Sequence, residues 1–181
     1  MMQLPPAWLA LALALALPAA CSERPKPQTD PRTEAPAMDD PLRNLDRHPA
    51  AAITIRFGTE HFGNGEITLA VRGDGSVTVD QRAAGKLTHY NAQLDSARIA
   101  ALGRTLTDHR FTAPRTSTLP REPGDTQLVL RLSGPGVPAF ETTIWYADRF
   151  KDRDLDAILR AADDVLYTAS GGKLGQPARS P

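Results

Sequence analysis

The chain has 181 residues, and its 21 Lys and Arg balance 21 Asp and Glu, so the formal net charge is zero. No basic block or stripe occurs, which removes the electrostatic footprint of a nucleic-acid partner. A single cysteine excludes an intramolecular disulfide and a paired-cysteine metal site.

Leu4 to Ala20 carries no charge and is mostly Leu and Ala. It is short of the ~20 apolar residues that a membrane span needs. A short apolar run closed by small residues has the form of a secretory signal. Here Ala19 and Ala20 are followed at once by Cys21, the chain's one cysteine. With that junction the segment resembles a bacterial lipoprotein signal, in which the cysteine is acylated and becomes the first residue of the mature protein. Pro18 stands where that family prefers Leu, and no Lys or Arg precedes the apolar run. The resemblance implies a signal over 1–20, lipidated Cys21 and a membrane anchor. Ser22 resembles the outer-membrane sorting pattern, which places the domain on the periplasmic face of the outer membrane in a Gram-negative cell. The plainer reading is a cleaved signal that leaves Cys21 as a free thiol.

Residues 21–51 read as a tether. Pro25, Pro27, Pro31, Pro36, Pro41 and Pro49 interrupt them, with charges of both signs between. Such a segment buries too little apolar surface to offset its ordering entropy. The folded domain is expected over 52–169.

Ile53, Ile55 and Phe57 alternate with Thr54 and Arg56, the period of a half-buried strand. Ile67, Leu69 and Val71 repeat that pattern. Gly73-Asp74-Gly75 then turns the chain into Val77 and Val79, a hairpin. Arg72-Gly73-Asp74 spells an integrin-binding tripeptide, but the hairpin accounts for each of the three residues. From Leu94 to Leu106 the period changes. Ile99, Leu102 and Leu106 share one helical face, and Asp95 or Ser96 can cap its start. Pro114, Pro120, Pro123 and Gly124 mark a long loop from His109 to Asp125. Long loops of this kind are often functional.

Leu128, Leu130 and Leu132 form the next strand, and Ser133-Gly134-Pro135-Gly136 turns it. Phe140, Thr142, Ile144 and Tyr146 continue on one face, with Glu141, Thr143 and Trp145 on the other. Leu155, Ile158, Leu159, Ala162, Val165 and Leu166 make an apolar stripe at helical spacing. Gly171-Gly172 closes that helix, and 170–181 reads as a disordered tail. The order βββ-α-ββ-α predicts an α+β two-layer sandwich. It has a mostly antiparallel five-stranded sheet with both helices on one face.

This element order resembles emfourin, a small bacterial protein inhibitor of thermolysin-like metalloproteases. The likeness carries no specific motif, so no inhibitory residue is transferred.

Catalytic signals are sparse. His61, His89 and His109 match no metal-ligand spacing, and Ser117, Ser133 and Ser170 sit in turns rather than in a nucleophile elbow. Asp163-Asp164 falls late in the last helix, against the macrodipole. No cofactor, metal or catalytic residue is expected. Trp145 is different. Trp8 belongs to the signal, so Trp145 is the one tryptophan of the mature chain. It falls on the sheet face away from the helices, with Arg131 on the neighbouring strand and Arg121 and Glu122 on the long loop. These four residues form the candidate binding surface. The expected function is a lipid-anchored envelope protein with a small non-catalytic protein-binding domain. The alternatives are a hydrolase using loop His, Asp or Glu residues, or an inhibitor of an extracytoplasmic protease.

Overall fold

A computed structural model describes residues 40–61 and 63–176. The signal, Cys21, most of the tether and the end of the tail lie outside the described residues. The elements are β1 (Ala52–Phe57), β2 (Glu66–Arg72), β3 (Ser76–Ala83), β4 (Lys86–Gln93), α1 (Ser96–Asp108), β5 (Gln127–Ser133), β6 (Phe140–Trp145) and α2 (Arg153–Ala169). Short 3₁₀ turns lie at Leu45–Arg47 and Tyr146–Phe150.

The fold is α+β, an open sheet in the order β4-β3-β2-β1-β5-β6 with every pairing antiparallel. The sheet has six strands rather than five. The additional strand, β4, pairs with β3 over its whole length. Its sequence Lys-Leu-Thr-His-Tyr-Asn-Ala-Gln offers no run of alternating aliphatics, because an edge strand at the margin of the helical layer has little to bury. Ala84 and Gly85 make the turn with φ of 49° and 73°. Both positive values define a two-residue hairpin of the kind whose twist matches the strands, and glycine takes the second position freely.

Period-two alternation sends Ile53, Ile55, Ile67, Leu69, Val77, Val79 and Leu128 to one face of the sheet, all at most 3% exposed. The stripes of α1 and α2 pack on that same face in one continuous core. Asp95 caps α1 by accepting from Arg98 N–H at 2.8 Å. Asp152 caps α2 by accepting from Leu155 N–H at 3.0 Å.

The core reaches beyond 52–169. Leu42, Leu45 and Ala51 are buried, and so is Leu174. Gly103 shows how the entering segment is held. A Cβ there would stand 2.4 Å from the Leu42 carbonyl oxygen. The helix carries a glycine mid-length, at roughly 1 kcal/mol relative to alanine, because the backbone of 42–45 lies against it. The Arg72-Gly73-Asp74 tripeptide forms the β2–β3 turn. The Asp74 carboxylate accepts from Ser76 N–H and Oγ–H at 2.9 and 2.6 Å, and these bonds lower its pKa.

Candidate functional site

The helices leave the second sheet face bare. Thr54, Thr68, Thr78, Arg56, Arg131, Thr143 and Trp145 stand on it, half-buried or exposed. Trp145 ends β6, opposite Gln127 of β5. The loop between α1 and β5 meets it there.

Two anchors fix the loop. The Arg115 side chain is 8% exposed, and its guanidinium donates to the carbonyls of His109, Phe111 and Ala113 and to the Asp152 carboxylate. It gathers the first half of the loop around one cation. The second anchor is Asp148, buried at 6% exposure in the 3₁₀ turn. Its two oxygens accept from Thr118 N–H and Trp145 N–H, each at 3.3 Å. Ser117 Oγ accepts from the same Trp145 N–H at 2.9 Å. The strand expected to run on to Tyr146 therefore stops at Trp145, where the chain turns to bring the Asp148 carboxylate back to the Trp145 backbone N–H.

Beyond these anchors the loop carries Arg121 over the indole, with its guanidinium carbon 5.1 Å from the ring centroid. A cation so placed is attracted by the ring quadrupole, by about 0.5–1 kcal/mol at an exposed site. The two side chains border a polar recess of about 390 Å³, together with Arg56, Glu66, Asp125 and Gln127. Neither Arg56 nor Arg121 has a carboxylate within ion-pair distance among the described residues. Glu122 is exposed on the loop, where its carbonyl accepts from Asp125 N–H at 3.0 Å. Arg131 shares the open face but sits four residues along β5 from Gln127, about 13 Å away. It faces Glu141 at 3.7 Å. The structure thus brings Trp145 and Arg121 together, holds Glu122 on the same loop and places Arg131 at a distance along the face.

Replacing Asp148 by alanine strands the Thr118 N–H and weakens the hold on Trp145. The expected loss is about 1–3 kcal/mol. Urea melts measure it, and faster proteolysis within 115–125 reports the freed loop.

The histidines fall in three settings. His61 is exposed in the β1–β2 loop. His89 meets Asp80 on the open face, Nδ1 to Oδ1, at 2.6 Å. His109 caps α1 and meets Asp154 at 3.1 Å. Asp154 is held below the usual carboxylate range by Arg110 first and His109 second. Among the described residues no group of three or more His, Cys, Asp or Glu is arranged to hold a metal ion. No helix among them is long and apolar enough to cross a membrane.

A groove of about 650 Å³ separates the outer sides of α1 and α2. Arg98 pairs across it with Asp164 at 3.1 Å, so the late acidic pair of α2 is in part an inter-helix tie. Arg149 and Arg160 both grip Asp156, at 2.8 and 2.7 Å. Asp163 has no ion-pair partner among the described residues, and burial pushes its carboxyl up. A raised carboxyl favours folding below its unfolded pKa, and that contribution is lost as pH rises through the folded value. Asp163→Asn, neutral throughout, is therefore expected to melt higher than the natural chain at about pH 7, with the gap closing towards about pH 3. Thermal melts at the two pH values check this.

Comparison of the chain with protein-family models finds no match, and comparison with curated proteins finds none either.

Proposed function

We propose that this is a non-catalytic, lipid-anchored protein of the cell envelope whose domain docks another protein on the open sheet face. Trp145 and Arg121 form the centre of the docking surface, with Glu122 and Arg131 at its margin. One observation carries the reading. Among the described residues two guanidiniums, Arg56 and Arg121, stand without carboxylate partners beside a half-buried indole on the face the helices leave bare. Tryptophan and arginine are the side chains that most often dominate interface energy. Unpaired guanidiniums fit carboxylates, so the partner presents Asp, Glu or a chain terminus here. Arg115 and Asp148 already hold the loop, which lowers the entropy lost on docking. The anchoring half of the proposal rests on the Ala19-Ala20-Cys21 junction.

Fluorescence tests the site, because Trp145 is the one tryptophan outside the signal. Iodide, drawn by Arg56 and Arg121, is expected to quench the free protein more than caesium does. Docking is expected to protect the indole. Crosslinking in intact envelopes is expected to capture a partner with the natural chain and to lose it with Trp145→Ala. A Trp145 already shielded from both quenchers, with Trp145→Ala unfolding the domain, makes the residue core and defeats the docking surface.

A further inference from the structure

The chain enters the domain where α1 ends and α2 begins. Asp40, the first described residue, accepts a hydrogen bond from Thr107 Oγ–H at 3.4 Å. Arg43 pairs with Asp108, the last residue of α1, at 3.2 Å. Arg110 then grips Asp154 in the first turn of α2. An anchor on the preceding segment therefore holds the domain by this end. The same end carries Phe150, the most exposed large apolar side chain among the described residues, at 81% against 44% for Leu87 and 39% for Tyr167. Phe150 closes the 3₁₀ turn, Lys151 follows it and Arg153 opens α2.

A single exposed aromatic is ordinary on a protein surface. The charges around this one set it apart. Asp152, Asp154 and Asp156 are bonded to Arg115, Arg110 and Arg149. Lys151 and Arg153 have no carboxylate within ion-pair distance among the described residues. Arg153 also stands at the first position of α2, where a cation opposes the macrodipole and adds nothing to the helix. Arg110 contributes a guanidinium that is 75% exposed. A bare phenyl ring is thus flanked by cations whose charge the domain does not use.

We infer that Phe150, Lys151, Arg153 and Arg110 form a lipid-contact surface, with the ring in the headgroup layer and the cations against anionic lipid phosphates. The inference rests on the anchored reading of Cys21, and it names what the anchored domain rests on. Two observations choose a bilayer as the occupant. An apolar ring among cations is the composition that settles at a membrane boundary. The chain also enters at this end, so the lipid on Cys21 is tied to it by at most about 70 Å of chain. Such a tether keeps the surface at an effective concentration of about a millimolar near the bilayer. A contact of one ring and a few cations, weak by itself, is then made repeatedly. Without the tether it is too weak to survive fractionation, so the unanchored chain still leaves the membrane. The contact uses none of the four docking residues.

Residues 21–181 carrying Cys21→Ser, which cannot be acylated, test the surface by sedimentation with vesicles. One set contains equal parts of phosphatidylglycerol and phosphatidylcholine, the other phosphatidylcholine alone. Binding is expected on the anionic set at lipid concentrations up to about 10 mM, and weaker binding on the neutral set. It is expected to fall at about 1 M salt, where the Debye length is about 3 Å. Protein that stays in the supernatant of the anionic set at every concentration overturns the inference. Phe150→Ser is expected to weaken binding roughly tenfold, and Lys151→Glu with Arg153→Glu at least about tenfold. These side chains are exposed, so the variants are expected to melt in urea like the natural chain. Lys173→Glu, past the other end of α2, is expected to leave binding unchanged. Unchanged binding by either altered surface, or an equal loss with Lys173→Glu, refutes the contact. Failure of the vesicle test beside an acylated Cys21 removes the contact and leaves the anchor. Vesicle binding beside a free Cys21 thiol does the reverse.

Discussion

Leu159→Ala is expected to destabilise the domain by about 2–5 kcal/mol. Leu159 lies mid-way along α2 and is 2% exposed, between Ile158 at 0% and Ala162 at 2%. Truncation removes buried methyl groups and leaves a cavity. Close packing on both sides lets the site collapse only in part. The α2 stripe buries six residues against three in α1, and both ends of α2 are fixed, by Asp152 at the start and by Gly172 N–H donating to Tyr167 O at the end. The helix therefore cannot slide to fill the gap. In urea, the midpoint should fall with the slope unchanged, because the surface exposed on unfolding is nearly the same. A loss below ~1 kcal/mol would mean that the side chain is not held in the core as packed here.

Cys21→Ser is expected to release the protein from membranes altogether. The proposed anchor has acyl chains on a diacylglycerol, and each buried CH₂ contributes ~0.8 kcal/mol, so stable attachment needs two chains and disappears with both. Serine offers no thiol for the modification. Fractionation after osmotic shock should move the variant from the membrane pellet to the soluble fraction. Mass spectrometry of the natural protein should find Cys21 at the mature N-terminus carrying lipid. A free thiol there, or an unchanged distribution of Cys21→Ser, would return the segment to an ordinary cleaved signal.

Part of the candidate site could be read before any coordinates. Alternation along Phe140 to Trp145 puts the indole on the face away from the helices and Thr143 beside it, whereas Arg56 comes near only because β1 pairs with β5. Arg121 over the ring could not be read, because loop residues carry no period from which a direction follows. The same holds for Asp148. Its carboxylate looks like any acidic residue before a helix until the 3₁₀ turn folds it back to the Trp145 backbone N–H. Alternation also puts Arg131 on this face, but it does not give the distance of about 13 Å along β5 that separates it from Gln127.

What the sequence determined by itself was each element with its own repeating burial. Ile53–Phe57, Ile67–Val71, Leu128–Leu132 and the α2 stripe each bury one face, and period two or 3.6 records that demand directly in the residues. From them the α+β class and the one-sided placement of the helices follow. Only the tertiary structure decided the rest. β4 is a strand because β3 offers it a hydrogen-bonding edge, not because its side chains ask for a core. Leu42, Leu45 and Leu174 are buried because Gly103 and the end of α2 leave room for them. Their isolated apolar residues have no periodic signal, and their burial depends on partners far away in the chain.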